Sequence, residues 1–219
     1  MTERRTSGYA IAAIEPDDKA PVHRKGHRTR KRLLEAATIV FERDGYLGTR
    51  VADIVAEAGV SHGSFYTYFD SKDDVFREAA VATVDDIKLA LDATVSTSHD
   101  PREVVRAGNL MFLNMYQEHA RMLALIEQVG TSDPYFKKMR EDLRGRLVRR
   151  VERAIRWMER KGQVRLEGMS LRFTAAALAG MIDFVASSMI ASDGSLAEAD
   201  LDTLDAIWLR ALDADQGVD

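Results

Sequence analysis

The chain has 219 residues, 46% of them hydrophobic, no cysteine and a formal net charge of -4. That length and apolar share are enough to bury a sizeable core, in one domain or in a small domain joined to a larger one. The lack of cysteine excludes disulfides, thiol nucleophiles and thiolate metal sites. No run of about 18 apolar residues occurs and MTERRTSGYA lacks the apolar stretch of a secretory signal, so a cytoplasmic protein with no membrane partner is expected.

The net charge hides an asymmetry. Residues 1–32 hold nine Lys/Arg against four acids, and six of those cations (Arg24, Lys25, Arg28, Arg30, Lys31, Arg32) crowd into RKGHRTRKR. A basic arm on an acidic body fits phosphate binding, and a solvated flexible tail is the plain alternative. His23 and His27 stand four apart, a metal-like spacing, but Gly26 between them and the surrounding cations argue against a bound metal.

In chain order, Leu33, Leu34, Ala37, Val40 and Phe41 predict a helix over 29–44, stopped by Asp44-Gly45. Thr49 is placed to cap a second helix, in which Val51, Ile54, Val55 and Ala58 recur at helical spacing until Gly59. Ser61 caps a short third helix with Phe65, Tyr66 and Phe69, of which Phe65 and Phe69 are core candidates. Ser71 caps a fourth, with Asp73 and Asp74 in its first turn, that runs to about residue 95. Further helices are predicted over 101–118, 119–129, 133–161, 168–191 and 196–213. No window alternates apolar and polar residues long enough for a convincing strand, so the fold class is all-α.

The helix over 133–161 carries eleven Lys/Arg against four acids between Lys137 and Lys161. A solvated face with internal ion pairs is the ordinary reading. Binding of phosphates or a carboxylate, as an acyl-coenzyme A would require, is the other.

Gly59-Val60-Ser61-His62-Gly63 satisfies G-x-S-x-G, the pattern of a nucleophile elbow. An elbow needs a buried strand before its serine, whereas the preceding VADIVAEA has helical spacing and two acids. His99 and His119 lie downstream, but nothing in the sequence ties them to Ser61. A helix-turn-helix accounts for more of the same residues. Ile54, Val55, Val60 and Phe65 would pack inside, while small and hydrogen-bonding side chains of the second helix face outward, as groove edges and phosphates require.

The stretch GYLGTRVADIVAEAGVSHGSFYTYFDSKDDVF, residues 45–76, resembles the signature of the TetR family of bacterial transcriptional regulators (TetR/AcrR type). The matching features are the Gly-Tyr after the first helix, the Thr cap, Ile-x-x-x-Ala-Gly-Val-Ser, the Phe-Tyr-x-Tyr-Phe recognition helix and the Ser-Lys opening the fourth helix. The family's commonest wording has Lys or a small residue at His62 and Arg at Thr67, so the resemblance gives the fold and not this chain's operator sequence. The resemblance implies an N-terminal three-helix DNA-binding domain followed by a larger helical ligand-binding and dimerisation domain, with boundaries 1–26 for the basic arm, 27–87 and 88–219.

By position, the family implies that Thr49, Arg50 and Val51 open the second helix against a phosphate strand. His62, Gly63, Ser64 and Thr67 face the major groove, and Tyr66 and Tyr68 reach phosphates. Lys72 meets a phosphate at a helix N-terminus. Arg28 and Ser61 complete the expected DNA contacts, Ser61 being equally a plain helix cap.

For an effector, the expected lining is Met111, Phe112, Met115, Tyr116, Met122, Ile126, Glu127, Met139, Trp157, Met181 and Phe184. Methionine tolerates varied ligand shapes, although an ordinary core reads the same way residue by residue. Asn114, Glu127, Gln128 and Asp183 interrupt apolar stretches and need partners if buried. The last two helices pair small residues with large ones, and the family places its dimer interface there.

The function expected is that of a homodimeric regulator with no enzyme activity and no cofactor, a repressor released from a double-stranded inverted-repeat operator by an apolar effector. The effector would be lipid-like, acyl-CoA or polycyclic. An effector-independent nucleoid-type DNA binder and a serine hydrolase using Ser61 are the alternatives.

Overall fold

The computed structural model describes residues 21–93, 98–190 and 197–214. Its elements are α1 (Pro21–Gly48), α2 (Val51–Ala58), α3 (His62–Tyr66), α4 (Lys72–Asp92), α5 (Pro101–Gly130), α6 (Pro134–Arg160), α7 (Leu171–Val185) and α8 (Glu198–Ala211). A π-helical turn, Ala186–Ile190, continues α7. No strand occurs among the described residues, and the fold is all-α as expected.

Most of the helix starts follow local chemistry. Ser61 Oγ accepts from Ser64 N–H, Ser71 from Asp74 N–H, Asp100 from Arg102 N–H, Asp133 from Tyr135 N–H and Ser170 from Phe173 N–H. Each satisfies an amide that the first turn leaves free. α5 and α6 also begin with proline, whose missing N–H costs nothing there. Gly59 ends α2 at φ 61°, the left-handed cap that glycine takes without penalty. Gly45, at φ 75°, breaks α1 where Asp44-Gly45 was expected to stop it.

Two expectations are corrected. Thr49 does not cap α2. It is buried, and its hydroxyl donates 2.7 Å to Gly45 O, so it ties the turn to α1 while Arg50 occupies the cap position and donates its N–H to Asp53 at 3.1 Å. The helices predicted over 101–118 and 119–129 are one helix, α5. Gln117, Glu118 and Arg121 point outward and contain no helix breaker, so the polar run marks an exposed face and not an end.

Residues 26 and 27 both lie within α1 and residues 87 and 88 within α4, so helix continuity crosses each expected domain boundary. The rest of the basic arm, residues 1–20, falls outside the described residues. One core runs the length of the molecule. Leu33, Val40, Phe41, Ile54, Phe65 and Phe69 fill the N-terminal end, and Phe76 joins them through an edge contact with Phe41 at 4.8 Å. Phe76 also meets Phe136 of α6 at 5.2 Å, so α4 is packed into both ends. α6 lies against α4, α5 and α7, and α5 against α1, α4 and α8. Leu171–Ser188 is long and apolar enough to cross a membrane by composition, but α7 packs on α6 with part of its surface in the core.

Candidate nucleic-acid interface and ligand cavity

α2 and α3 are held as a rigid pair. Ile54 and Phe65 are wholly buried, and Phe65 packs against Phe69 at 5.7 Å. Burying side chains of that size contributes about 2 kcal/mol each, which fixes the angle between the two helices. Arg32 of α1 donates to Ala58 O at the end of α2, where the carbonyls carry partial negative charge. Arg30 pairs with Glu78 of α4 and lies over the Phe69 ring at 5.2 Å. These two cations of the basic run thus brace the domain from within.

The outward face of α3 presents His62, Gly63, Tyr66 and Thr67, all exposed, with the His62 and Tyr66 rings 5.5 Å apart. Thr67 Oγ1 donates to Gly63 O at 3.2 Å. Arg28 on α1 and Arg50 before α2 are exposed near the same end of the chain's fold. The remaining expected contacts are partly committed elsewhere. Ser64 is half-buried and its hydroxyl meets Ser61 Oγ at 2.8 Å, while Val51 is half-buried against the core. Tyr68 is half-buried with its hydroxyl facing α1, 3.6 Å from where a Cβ on Gly26 would stand. Lys72 is half-buried, donating 2.8 Å to Tyr46 O and sitting 4.7 Å over the Tyr46 ring.

Tyr46 donates in turn to Asp73 at 2.5 Å, and burial followed by that bond raises its phenol from 10.0 to about 12. Ser61 Oγ is engaged in helix capping, and a helix, not a strand, precedes it. The surroundings of a nucleophile elbow are therefore absent there.

At the other end of α4 lies a cavity of about 320 Å³ between α5, α6, α7 and α8. Of the expected lining, only Met111 and Phe112 border it, joined by Val105, Gly108, Leu147, Val151, Ile155 and Met158. Met115 and Tyr116 border a separate space of about 40 Å³. Met122 and Ile126 have no exposure and are core. Met139, Trp157 and Met181 are half-buried against that core and do not reach the cavity. Glu127 is exposed, contacting Arg140 and lying 3.9 Å from Arg144. Phe184 is 71% exposed and borders an open space of about 430 Å³ on the α6–α7 surface, with Arg144, Gly180 and Asp183. Met122, Ile126, Met139, Trp157 and Met181 thus pack in or against the core where a cavity was expected, because a periodic stripe does not record which neighbour it meets.

The polar groups that matter here were not singled out from the sequence. Asn109, buried on α5, donates 2.7 Å to Asp205 of α8, and Asp205 also accepts from Arg106 at 3.1 Å. Its position, four after Val105 and three before Phe112 on one helical face, was the available signal. By contrast Asn114 and Gln128 are exposed, and Asp183 accepts from Arg144 at 3.2 Å.

The arginine run of α6 gathers on the C-terminal end of α4. Arg150 Nη1 donates to Leu91 O at 3.1 Å and Ala93 O at 2.7 Å, Arg153 donates to Leu91 O at 3.3 Å, and Arg146 pairs with Asp92 at 2.5 Å. Cations at a helix C-terminus meet its free carbonyls and negative dipole end. Burial lowers the Arg150 guanidinium from its ordinary value, with neighbouring Arg153 adding to the effect. Among the described residues no group of three His, Cys, Asp or Glu side chains is placed to hold a metal ion.

An all-helical chain with a braced helix-turn-helix at one end and a helix-walled cavity at the other has the build of a DNA-binding transcriptional regulator. Residues 33–79 match the family profile described as bacterial regulatory proteins, tetR family. Over 172 residues the chain is 28% identical to the HTH-type transcriptional regulator YdgC of Bacillus subtilis, covering 76% of this chain and 83% of that one. Its fold is similar to a regulator from Saccharomonospora viridis in complex with choline, at TM-score 0.69 and 21% identity, over 86% of this chain and 97% of the other. It is also similar to FadR from Bacillus subtilis in complex with stearoyl-CoA, at TM-score 0.62 and 17% identity, over 86% and 99% of the two chains.

Proposed function

We propose that this transcriptional regulator is a homodimeric repressor that binds an inverted-repeat operator and is released from it by an apolar effector. The observation that carries this reading is the span of α4. It begins at Lys72, directly after the recognition helix, and ends at Asp92 among the arginines beside the cavity. A ligand in the cavity meets Ala93 and Arg150, which hold the end of the same helix that leads from the reading head. In a dimer the two heads must stand about one helical turn apart, roughly 34–36 Å, to enter successive major grooves. A ligand that prefers another setting of α4 weakens operator binding by its difference in affinity for the two states.

The dimer is supported by a stripe on α7 that no described neighbour covers. Phe173 is 76% and Phe184 71% exposed, with exposed Ala177 and Gly180 between them at helical spacing, and Ile207 of α8 is 43% exposed. A monomer has no use for such a stripe, whereas a four-helix contact of two copies of α7 and α8 buries it. An apolar effector is supported by the cavity wall and by the stearoyl-CoA bound in the similar FadR fold.

The test is selection from a randomised duplex library followed by binding titrations with and without candidate lipids, acyl-CoA esters and polycyclic compounds. Enrichment of an inverted repeat, bound by a dimer and released by a hit, is the expected outcome. Binding without sequence preference would instead favour the nucleoid-type reading. Labelling of Ser61 by a fluorophosphonate probe would revive the hydrolase.

A further inference from the structure

We infer that the 320 Å³ cavity binds a compact, largely apolar organic acid, its carboxylate answered by Arg150 and one of its oxygens accepting from the indole N–H of Trp208. This deepens the ligand-responsive reading above and rests on it only for the consequence at DNA. Two buried donors carry the inference. Trp208 is 7% exposed, borders the cavity, and its Nε1–H has no hydrogen-bond partner among the described residues. An indole N–H is a donor only, and leaving it buried and unpaired carries a desolvation cost that an acceptor in the cavity would remove.

Arg150 is 8% exposed and, among the described residues, is the one ionised side chain on the cavity wall. Its described partners are backbone carbonyls, which satisfy its N–H groups without neutralising its charge. The acid whose field reaches it, Asp92, is already paired with Arg146. The other acid near the wall, Asp205, is bound to Asn109 and Arg106.

A buried guanidinium without a carboxylate favours an anion, and a planar carboxylate suits its fork. The rest of the wall is Val104, Val105, Phe112, Leu147, Ile155 and similar groups, which call for a hydrocarbon or aromatic body. The volume lies at the small end for ligand sites, which favours a compact molecule. The location also supplies a route to DNA. A carboxylate that draws Arg150 toward itself competes with Leu91 O and Ala93 O, and so loosens the clamp on the end of α4.

The experiment uses decanoate and decanol on the full chain without DNA, by calorimetry and by the indole signals of ¹⁵N-labelled protein. The chain has two tryptophans, so Trp157→Phe assigns the Trp208 signal. Decanoate should bind at least about tenfold more tightly than decanol, the difference expected for a charged hydrogen bond. It should also move the Trp208 signal. Arg150→Met should erase the preference and Arg150→Lys should retain part of it. Trp208→Phe should weaken decanoate binding, since it removes the indole donor.

Equal binding of acid and alcohol, a Trp208 signal that does not move, or no binding of either compound would overturn the inference. If Arg150→Met cannot be folded, the Lys variant and the Trp208 signal still decide. Operator affinity measured with decanoate separates the two readings. Binding as described without DNA release leaves the acid site standing and removes the release mechanism. Release by neutral compounds alone does the reverse.

Discussion

Gly108 offers a direct test of the cavity. It lies within α5, borders the cavity, and a Cβ built on it meets no atom within 4 Å. Replacing it with leucine gives two gains. Glycine in a helix interior is about 0.8–1.0 kcal/mol less favourable than alanine, and leucine is nearly as good as alanine. The isobutyl group entering the cavity then buries part of its surface, worth about 1–2 kcal/mol after its lost rotamer freedom is subtracted.

Gly108→Leu should therefore stabilise the protein by about 2 kcal/mol, and raise its melting temperature by roughly 4–8 °C for a chain of this size. Gly108→Ala should give about half of that, since it supplies the helix term with little filling. The assay is thermal and urea unfolding of both variants, together with binding of the apolar dye anilinonaphthalene sulfonate. Alanine should leave dye binding in place and leucine should abolish it, while operator affinity is unchanged in both. Destabilisation by leucine, with alanine neutral or better, would refute the open space at this position. Undiminished dye binding in a stable leucine variant would show that ligands sit elsewhere.

Gly59→Ala should destabilise by about 1–2 kcal/mol from the left-handed backbone alone, and a Cβ there would stand 3.1 Å from the Arg32 guanidinium; chemical unfolding reads it, and a neutral result would mean the α2 cap relaxes freely. Asp205→Ala strands the buried Asn109 amide and should cost about 1–3 kcal/mol, whereas Asn109→Leu with Asp205→Leu should recover much of the loss in a double-mutant cycle. Tyr46 has a folded pKa above its unfolded one, so its contribution is complete below pH 10 and is lost as pH rises toward about 12. Tyr46→Phe should flatten that alkaline fall in stability, and phenolate absorbance should lose one late-titrating group. At the DNA face, Lys72→Ala should lower the salt slope by about one per subunit, and His62→Ala should change which bases are selected; an unchanged slope would mean the Lys72 ammonium stays on Tyr46.

The helix-turn-helix was legible because its signals are local. Ser61 and Ser71 cap the turns that follow them, Gly59 supplies the positive φ, and Ile54, Val55 and Phe65 keep a spacing that only two crossed helices can bury together. Each of those features acts within a few residues, so the order of letters contains the cause. The continuity of α5 was less legible, because an outward polar run and a helix end look alike until the neighbours are known.

The cavity was decided by the tertiary structure alone. Met122 and Met115 share a helix and a residue type with Met111, yet only Met111 borders the cavity, since which side of α5 faces α6 and α8 depends on packing across long sequence separations. Arg150 was one of eleven cations in a run that read as a solvated face or as a holder of phosphates or a carboxylate, and nothing in the run singled it out until the end of α4 was laid against it. Trp208 read only as one of the large residues of the last helix, where the family resemblance places a dimer interface. That its N–H finds no acceptor is a fact about empty space, which no single helix encodes and only the assembled helices can enclose.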